Sequence, residues 1–192
     1  MKALKLTVVL SFLFSLALVA QPSSNTIPEG FIKGSLVTSD NIQQEGFIKN
    51  NLRKNGEIIF ISADGKKKKY NAAGVSILAI ETTHYITIGN AFYKVVTDGS
   101  KLRLLRKASQ SSGIQYNGSE PILVNAGEGV YDDYFLQTIA TGKLQLVRKN
   151  DFQKVFAATC ADCITLTEEL KSNKISFTDI ELAVVTYNTC LK

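Results

Sequence analysis

Glu29-Gly-Phe-Ile-Lys33 and Glu45-Gly-Phe-Ile-Lys49 carry the same five letters sixteen positions apart. Midway between them lies Thr38-Ser-Asp-Asn41, a run of residues that favour turns. Folding the chain back there makes the two copies legs of one antiparallel hairpin, with Phe31 and Ile32 opposite Ile48 and Phe47. Cross-strand aromatic and β-branched pairs stabilise such a ribbon by about 0.2–1 kcal/mol each. The repeat therefore reads as a pairing surface, not as a binding motif used twice. Gly30 and Gly46 then mark bulges or strand starts.

The hairpin continues into more of the same. Glu57–Ile61, Val75–Ile80, Tyr85–Ile88, Ala91–Val96 and Lys101–Leu105 are short runs rich in β-branched and aromatic residues. Ala63-Asp-Gly65, Gly89-Asn90 and Asp98-Gly-Ser100 separate them with turn chemistry, and the short spacing favours antiparallel neighbours. Residues 108–130 lose this pattern and read as a flexible connection holding one short strand, Ile122–Val124. Tyr134–Ile139 and Lys143–Arg148 form a last strand pair, turning at Thr141-Gly142.

After Arg148 the apolar period changes from two to 3.6. Asn150 or Asp151 can cap a helix that places Phe152, Phe156 and Cys160 on one face. Thr165-x-x-Glu168 and Thr178-x-x-Glu181 have the form of capping boxes, the second with Phe177 and Leu182 as a hydrophobic staple. The last helix carries Ile180, Ala183, Val184, Tyr187 and Leu191 on one side. The expected architecture is α+β: an antiparallel β-rich sheet, open or rolled, over 29–148, followed by a tail of two or three helices at 149–192.

The other end of the chain has a different character. Met-Lys-Ala-Leu-Lys opens onto an apolar run from Leu6 to Ala20, then polar Gln21-Pro-Ser-Ser24. This is the pattern of a secretory signal peptide over residues 1–20, cleaved after Ala20 or, failing that, after Ala17, with 21–28 as a flexible leader to the first strand. The run falls short of the ~20 residues that a spanning helix needs, which disfavours an uncleaved anchor. No cysteine stands near the cut, so a lipoprotein is not expected. Cleavage removes Lys2 and Lys5 and no acid, lowering the formal charge from +5 to +3. Because Lys66, Lys67, Lys68 and Lys69 form a single run, the remainder is near neutral, and a nucleic-acid-binding surface is not implied.

All three cysteines, Cys160, Cys163 and Cys190, lie in the helical tail. Export would place them in an oxidising compartment, where a disulfide is the first reading, and either Cys160 or Cys163 could reach Cys190. Closing a loop of roughly 30 residues stabilises by about 3 kcal/mol in the chain-entropy model. Cys160-Ala-Asp-Cys163 also fits the C-x-x-C form of thiol-disulfide exchange, but no βαβ unit leads into it.

Asp162-Cys163-Ile164, with Val184-Val185-x-Tyr187-Asn188-x-Cys190 at the close, resembles the end of an uncharacterised exported family of Gram-negative bacteria. Gly30-Phe-Ile, Asp40, Gly46-Phe-Ile-Lys49, Ile58-Ile-Phe60, the basic stretch into Tyr70 and the strand at Val75–Ile80 extend the resemblance over most of the chain. The resemblance implies Cys163 paired with Cys190, with Cys160 outside the pattern. It also implies a periplasmic or extracellular place, with association to the outer membrane. It carries no activity.

Catalytic signatures are sparse. His84, within Glu81-Thr-Thr-His-Tyr-Ile86, is the sole histidine and so the sole candidate for a hydrolase base near neutrality, yet its context is that of a sheet residue. Asp132, Asp133 and Glu128 form the densest acidic group and read as a solvated turn. No cofactor or metal site is expected. Lys66–Lys69 is a candidate anion-binding patch for lipid or glycan, where each lysine near an anionic surface contributes about 1 kcal/mol. The plainer reading is an edge strand whose lysines prevent pairing with other chains. The leading expectation is a non-enzymatic envelope module that binds or scaffolds a protein or glycan partner, with peripheral membrane contact as a further possibility. The alternatives are thiol-disulfide exchange through Cys160 and Cys163, a hydrolase built around His84, and an anion-binding surface at the lysine run.

Overall fold

A computed structural model describes residues 27–109, 114–117, 120–123 and 129–190. The expected signal peptide, most of the flexible leader, Glu128, Val124 and Leu191 lie outside these residues. In chain order the first eight strands are β1 (Ile32–Thr38), β2 (Gln43–Asn51), β3 (Glu57–Ser62), β4 (Lys67–Asn71), β5 (Val75–Ile80), β6 (Thr83–Ile88), β7 (Ala91–Thr97) and β8 (Leu102–Lys107). A four-residue helix α1 (Leu52–Asn55), which the sequence did not announce, joins β2 to β3. The hairpin β9 (Ile114–Asn117) and β10 (Glu120–Leu123) stands where one strand was expected. Then come β11 (Tyr134–Thr138), β12 (Leu144–Val147) and the helices α2 (Phe152–Thr159), α3 (Ile164–Lys171) and α4 (Ile180–Thr189). The fold is α+β, an antiparallel sheet followed by helices.

Ten strands form one antiparallel sheet in the order β12-β11-β8-β7-β6-β5-β1-β2-β3-β4. Two meanders, β1 to β4 and β5 to β8, meet along the β1/β5 seam, where Gly34 faces Ile80 and Leu36 faces Leu78. Only the 3-10 turn Ala72–Gly74 separates β4 from β5 in the chain, although three strands separate them in the sheet. A flat sheet would put β4 and β5 about 19 Å apart at ~4.8 Å per strand, whereas the connecting chain spans at most about 14 Å. The sheet must therefore roll, and it does so without closing, leaving β4 and β12 as edges.

The two pentapeptides do pair, as β1 and β2, but one residue away from the expected register. Ile32 faces Ile48, Lys33 faces Phe47, and Gly34 faces Gly46, with Phe31 before the strand. The cause is the turn. Asn41 N–H donates to the Thr38 carbonyl, Thr38 N–H donates to the Ile42 carbonyl, and Asn41 takes a left-handed φ of 61°. A type I turn followed by one left-handed residue makes a three-residue loop, and an odd loop shifts the pairing relative to a two-residue turn. The glycines also differ from expectation. Gly30 is the left-handed residue of a turn in which Phe31 N–H donates to Pro28 O, whereas Gly46 is neither bulge nor strand start. A methyl group on Gly46 would collide with the Ile61 carbonyl and the Phe60 ring, so the strand needs glycine for close approach.

Alternation along the strands separates three cores. Inside the roll, Leu36, Ile48, Ile58, Phe60, Tyr70, Val75, Leu78 and Phe92 pack together, with Leu52 of α1. On the same side farther along, Leu102, Leu104, Leu136 and Val147 meet α2 to α4 through Phe152, Phe156, Leu166, Leu170, Ile180, Ala183 and Val184. The opposite face holds a smaller cluster of Ala91, Tyr93, Leu105 and Phe135.

Helix starts depart from the expected boxes. Cys163 occupies the N-cap of α3, so Thr165 lies inside its first turn and Thr165-x-x-Glu168 caps nothing. The working box is Ser176 with Asp179, which opens a 3-10 turn ahead of α4; Thr178 sits within that turn. Leu182 is exposed, and Phe177 stacks edge-on against Phe152 and Tyr134, so the expected staple does not form. The predicted faces of α2 and α4 are otherwise as expected: Phe152, Phe156, Cys160, Ile180, Ala183, Val184 and Tyr187 are all buried.

Candidate functional site

The features that the sequence singled out separate into structural fittings and surface. Cys163 and Cys190 stand at disulfide distance, their Cα atoms 6.0 Å apart, and Cys160 is unpaired. The neighbouring motif residues pull in the same direction. Tyr187 Oη donates to Asp162 Oδ1 at 2.9 Å, tying α4 to the turn before α3. Asn188 accepts from the backbone N–H of Lys101 and Leu102 at 2.9 and 3.0 Å and donates to Leu102 O at 2.9 Å, clamping α4 to the start of β8. Gly99 gives that clamp room, since a methyl there would strike the Asn188 amide. Asp162, Cys163, Tyr187, Asn188 and Cys190 thus join the helices to each other and to the sheet.

Thiol exchange needs an accessible thiolate. Cys160 is fully buried, and desolvation, aided by the charge of Asp162, pushes its thiol up to about 12. Its C-x-x-C partner Cys163 is only 1% exposed and is committed to Cys190. His84 is exposed on β6 and pairs across to Ala79. Asp132 is ion-paired with Arg106, and Asp133 accepts from Val130 N–H at 2.8 Å within its own turn. The cavity that Asp132 borders does not include His84.

Lys67, Lys68 and Lys69 lie on β4, an edge of the sheet, with Lys66 just before it. Lys66 is paired with Asp64 at 2.7 Å, Lys67 stands over the Phe31 ring and Lys68 over the Tyr70 ring. The cavity that Lys68 and Lys69 border also contains Asp40 and Glu57, so its charge is mixed. This is the placement expected of lysines that blunt an open edge.

A second cavity, of about 270 Å³, gathers residues that are far apart in the chain: Asn50, Leu52, Arg53, Tyr85, Lys94, Arg106, Tyr131 and Asp132 border it, with Lys107 and Ala108. The sheet builds its floor. Tyr85 faces Lys94 across β6 and β7, Lys94 faces Arg106 across β7 and β8, and Arg106 faces Tyr134 across β8 and β11. Residues directly opposite in a sheet point to one side, so one row across four strands supplies tyrosine, lysine, arginine and tyrosine. Lys107, next in β8, points away from that row and donates from Nζ to Gly129 O at 3.0 Å.

The walls come from α1 and the turn before β11. Arg53 reaches from α1 over the Tyr131 ring, 5.2 Å from its centre, and Arg106 lies 5.1 Å from the centre of the Tyr134 ring. Asn50 accepts from Leu52 N–H at 3.0 Å, holding the start of α1. Desolvation raises the pKa of Tyr85, partly offset by its hydrogen bond with Asn50, so its hydroxyl keeps its proton. Arg53, Lys94 and Arg106 face one carboxylate, Asp132, whose Oδ2 accepts from Arg106 Nη2 at 2.7 Å. Arg53 and Lys94 have no ion pair among the described residues. Sequence reading missed this cleft because Arg53, Lys94 and Arg106 lie at least 12 positions apart in the chain.

What the arrangement can do is bind. Three cations against one acid favour an anion, the tyrosine rings offer flat contact, and Asn50 and Tyr85 offer hydrogen bonds to polar neighbours of that anion. Comparison of the chain with protein-family models, with curated proteins and with solved structures finds no match in any of the three.

Proposed function

We propose that the chain is an exported, non-enzymatic module of the cell envelope that binds or scaffolds an anionic partner, with the cleft between α1, β6 to β8 and the Tyr131 turn as its binding site. The observation that carries this reading is the convergence of Arg53, Lys94 and Arg106 on a cavity with, among the described residues, a single opposing carboxylate. The resemblance to an exported Gram-negative family and the apolar N-terminal run support the envelope location. Cysteines held at disulfide distance suit an oxidising compartment. Peripheral association with the outer membrane belongs to the same proposal.

Retention on a dextran sulfate column tests it. The protein with Arg53→Gln and Lys94→Gln is expected to elute at clearly lower salt than the wild type. A charge-matched control, Lys149→Gln with Lys154→Gln, is expected to elute between them and near the wild type. If the two double variants coincide, retention reflects net charge and the cleft is not the site. Changing Lys66 to Lys69 to Gln in the same assay separates the lysine run: loss of retention there alone would move the binding surface to β4.

A further inference from the structure

Arg106 already holds a carboxylate, and that carboxylate belongs to a residue in an uncommon conformation. Asp132 has φ 79°, the left-handed region that non-glycine residues seldom occupy. Its side chain is half exposed and meets the Arg106 guanidinium through Oδ2 at 2.7 Å, while the Asp132 carbonyl accepts from Arg106 Nε at 3.3 Å. The backbone contact and the bond from Asp132 N–H to Lys107 O hold the turn in place without the side chain. Surface ion pairs of this kind are weak, so the carboxylate can leave while the turn stays.

We propose that Asp132 occupies the seat of a ligand carboxylate, and that the cleft binds an acidic sugar residue by displacing Asp132 from Arg106. The inference rests on the binding role proposed above and names its ligand class. Arg106 presents a planar guanidinium suited to a carboxylate, and Arg53 and Lys94 stand beside it without ion pairs of their own among the described residues. Tyr85 and Tyr131 border the cleft and offer contact to a pyranose ring, and the protonated Tyr85 hydroxyl with the Asn50 amide can bond to sugar hydroxyls. The volume of about 270 Å³ lies just below the usual range for small-molecule sites, which suits one sugar residue, free or at the end of a chain. Among the described residues the aliphatic lining is limited to Leu52 and Ala108, which disfavours a lipid tail.

Titration calorimetry with trigalacturonate, methyl galactoside and inorganic phosphate tests the proposal on the folded full chain. Trigalacturonate is expected to bind, with the neutral sugar and phosphate much weaker. Asp132→Asn removes the competing charge while keeping a residue that tolerates the left-handed turn, and is expected to tighten trigalacturonate binding about threefold to tenfold. Arg106→Lys keeps the charge but loses the planar fork and is expected to weaken it about tenfold. Circular dichroism and melting of both variants establish that they fold. Equal affinity for trigalacturonate and phosphate, or for trigalacturonate and methyl galactoside, overturns the sugar-acid class while leaving a general binding cleft. An unchanged affinity in Asp132→Asn overturns the displacement. Retention on dextran sulfate that is lost in the cleft double variant, with no binding of any of the three probes, overturns this inference alone; unchanged retention in that variant together with no binding of any probe overturns both readings.

Discussion

The rolled half and the helical half of this protein solve the same problem with different means. In the roll, β1 to β5 enclose Phe60, Leu78 and their neighbours, and order comes from register: a three-residue turn, a glycine pair and a seam between β1 and β5. The described residues of that half include no cysteine. In the helical half, α2, α3 and α4 are eight, eight and ten residues long. Isolated helices shorter than about 12–15 residues are marginal in water, so packing must be supplemented. The supplements are the Cys163–Cys190 pair, the Tyr187–Asp162 bond and the Asn188 clamp. A sheet can specify itself through its ladder, whereas short helices need point attachments.

The sharpest way to break this contrast is to open each core in turn. Phe60 and Phe156 are 1% and 0% exposed. Phe60→Ala and Phe156→Ala are each expected to cost about 3–5 kcal/mol in urea unfolding. Hydrogen exchange should show protection falling first in β2 and β3 for Phe60→Ala and first in α2 and α4 for Phe156→Ala. Uniform loss across both halves in either variant would make them one cooperative unit. A smaller effect follows from separating the sulfurs. Cys163→Ser with Cys190→Ser releases a crosslink between residues 27 apart in the chain. It is expected to cost about 3 kcal/mol in the chain-entropy model, with exchange rising in α3 and α4 and unchanged in β1 to β3.

The smallest effect at neutral pH, and the most selective, is alkaline. Burial pushes Cys160 up to about 12 from 9.0, and burial with the Asp162 hydrogen bond pushes Tyr187 up to about 12 from 10.0. Both groups keep their protons longer in the folded chain than in the unfolded one. Their contribution to stability is therefore complete below about pH 9 and is lost as pH rises towards 12. Urea midpoints of the wild type should fall over that range, and those of Cys160→Ala with Tyr187→Phe should fall less. Parallel decline in the two proteins would mean that the helical half is not where alkali acts.

Much of the framework was legible because it is local. The apolar periods located β3, β5 to β8, the last strand pair and the faces of α2 and α4, the repeat located the β1–β2 hairpin, and the lysine run was readable as an edge. The Cys163–Cys190 pairing came through the family resemblance, since spacing alone left Cys160 and Cys163 equivalent. What escaped depended on one dihedral or on distance along the chain. The left-handed Asn41 moved the hairpin by one residue, and Ser176 displaced Thr178 as the cap because the chain turns two residues earlier. The cleft was illegible for another reason: Arg53, Lys94 and Arg106 become neighbours only once β2, β7 and β8 share a sheet, and that depends on the β1/β5 seam.

The same seam sets a schedule for the chain as it assembles. The β1–β2 hairpin can form from adjacent residues within microseconds, but the other side of β1 has no partner until residues 75–80 arrive, 46 positions later for Gly34 and Ile80. Until then a strand with one satisfied edge presents the other to any chain nearby. Such separations slow folding. Maturation is thus expected to be most vulnerable to aggregation in the interval before β5 arrives, and shielding the free edge of β1 until then would favour yield.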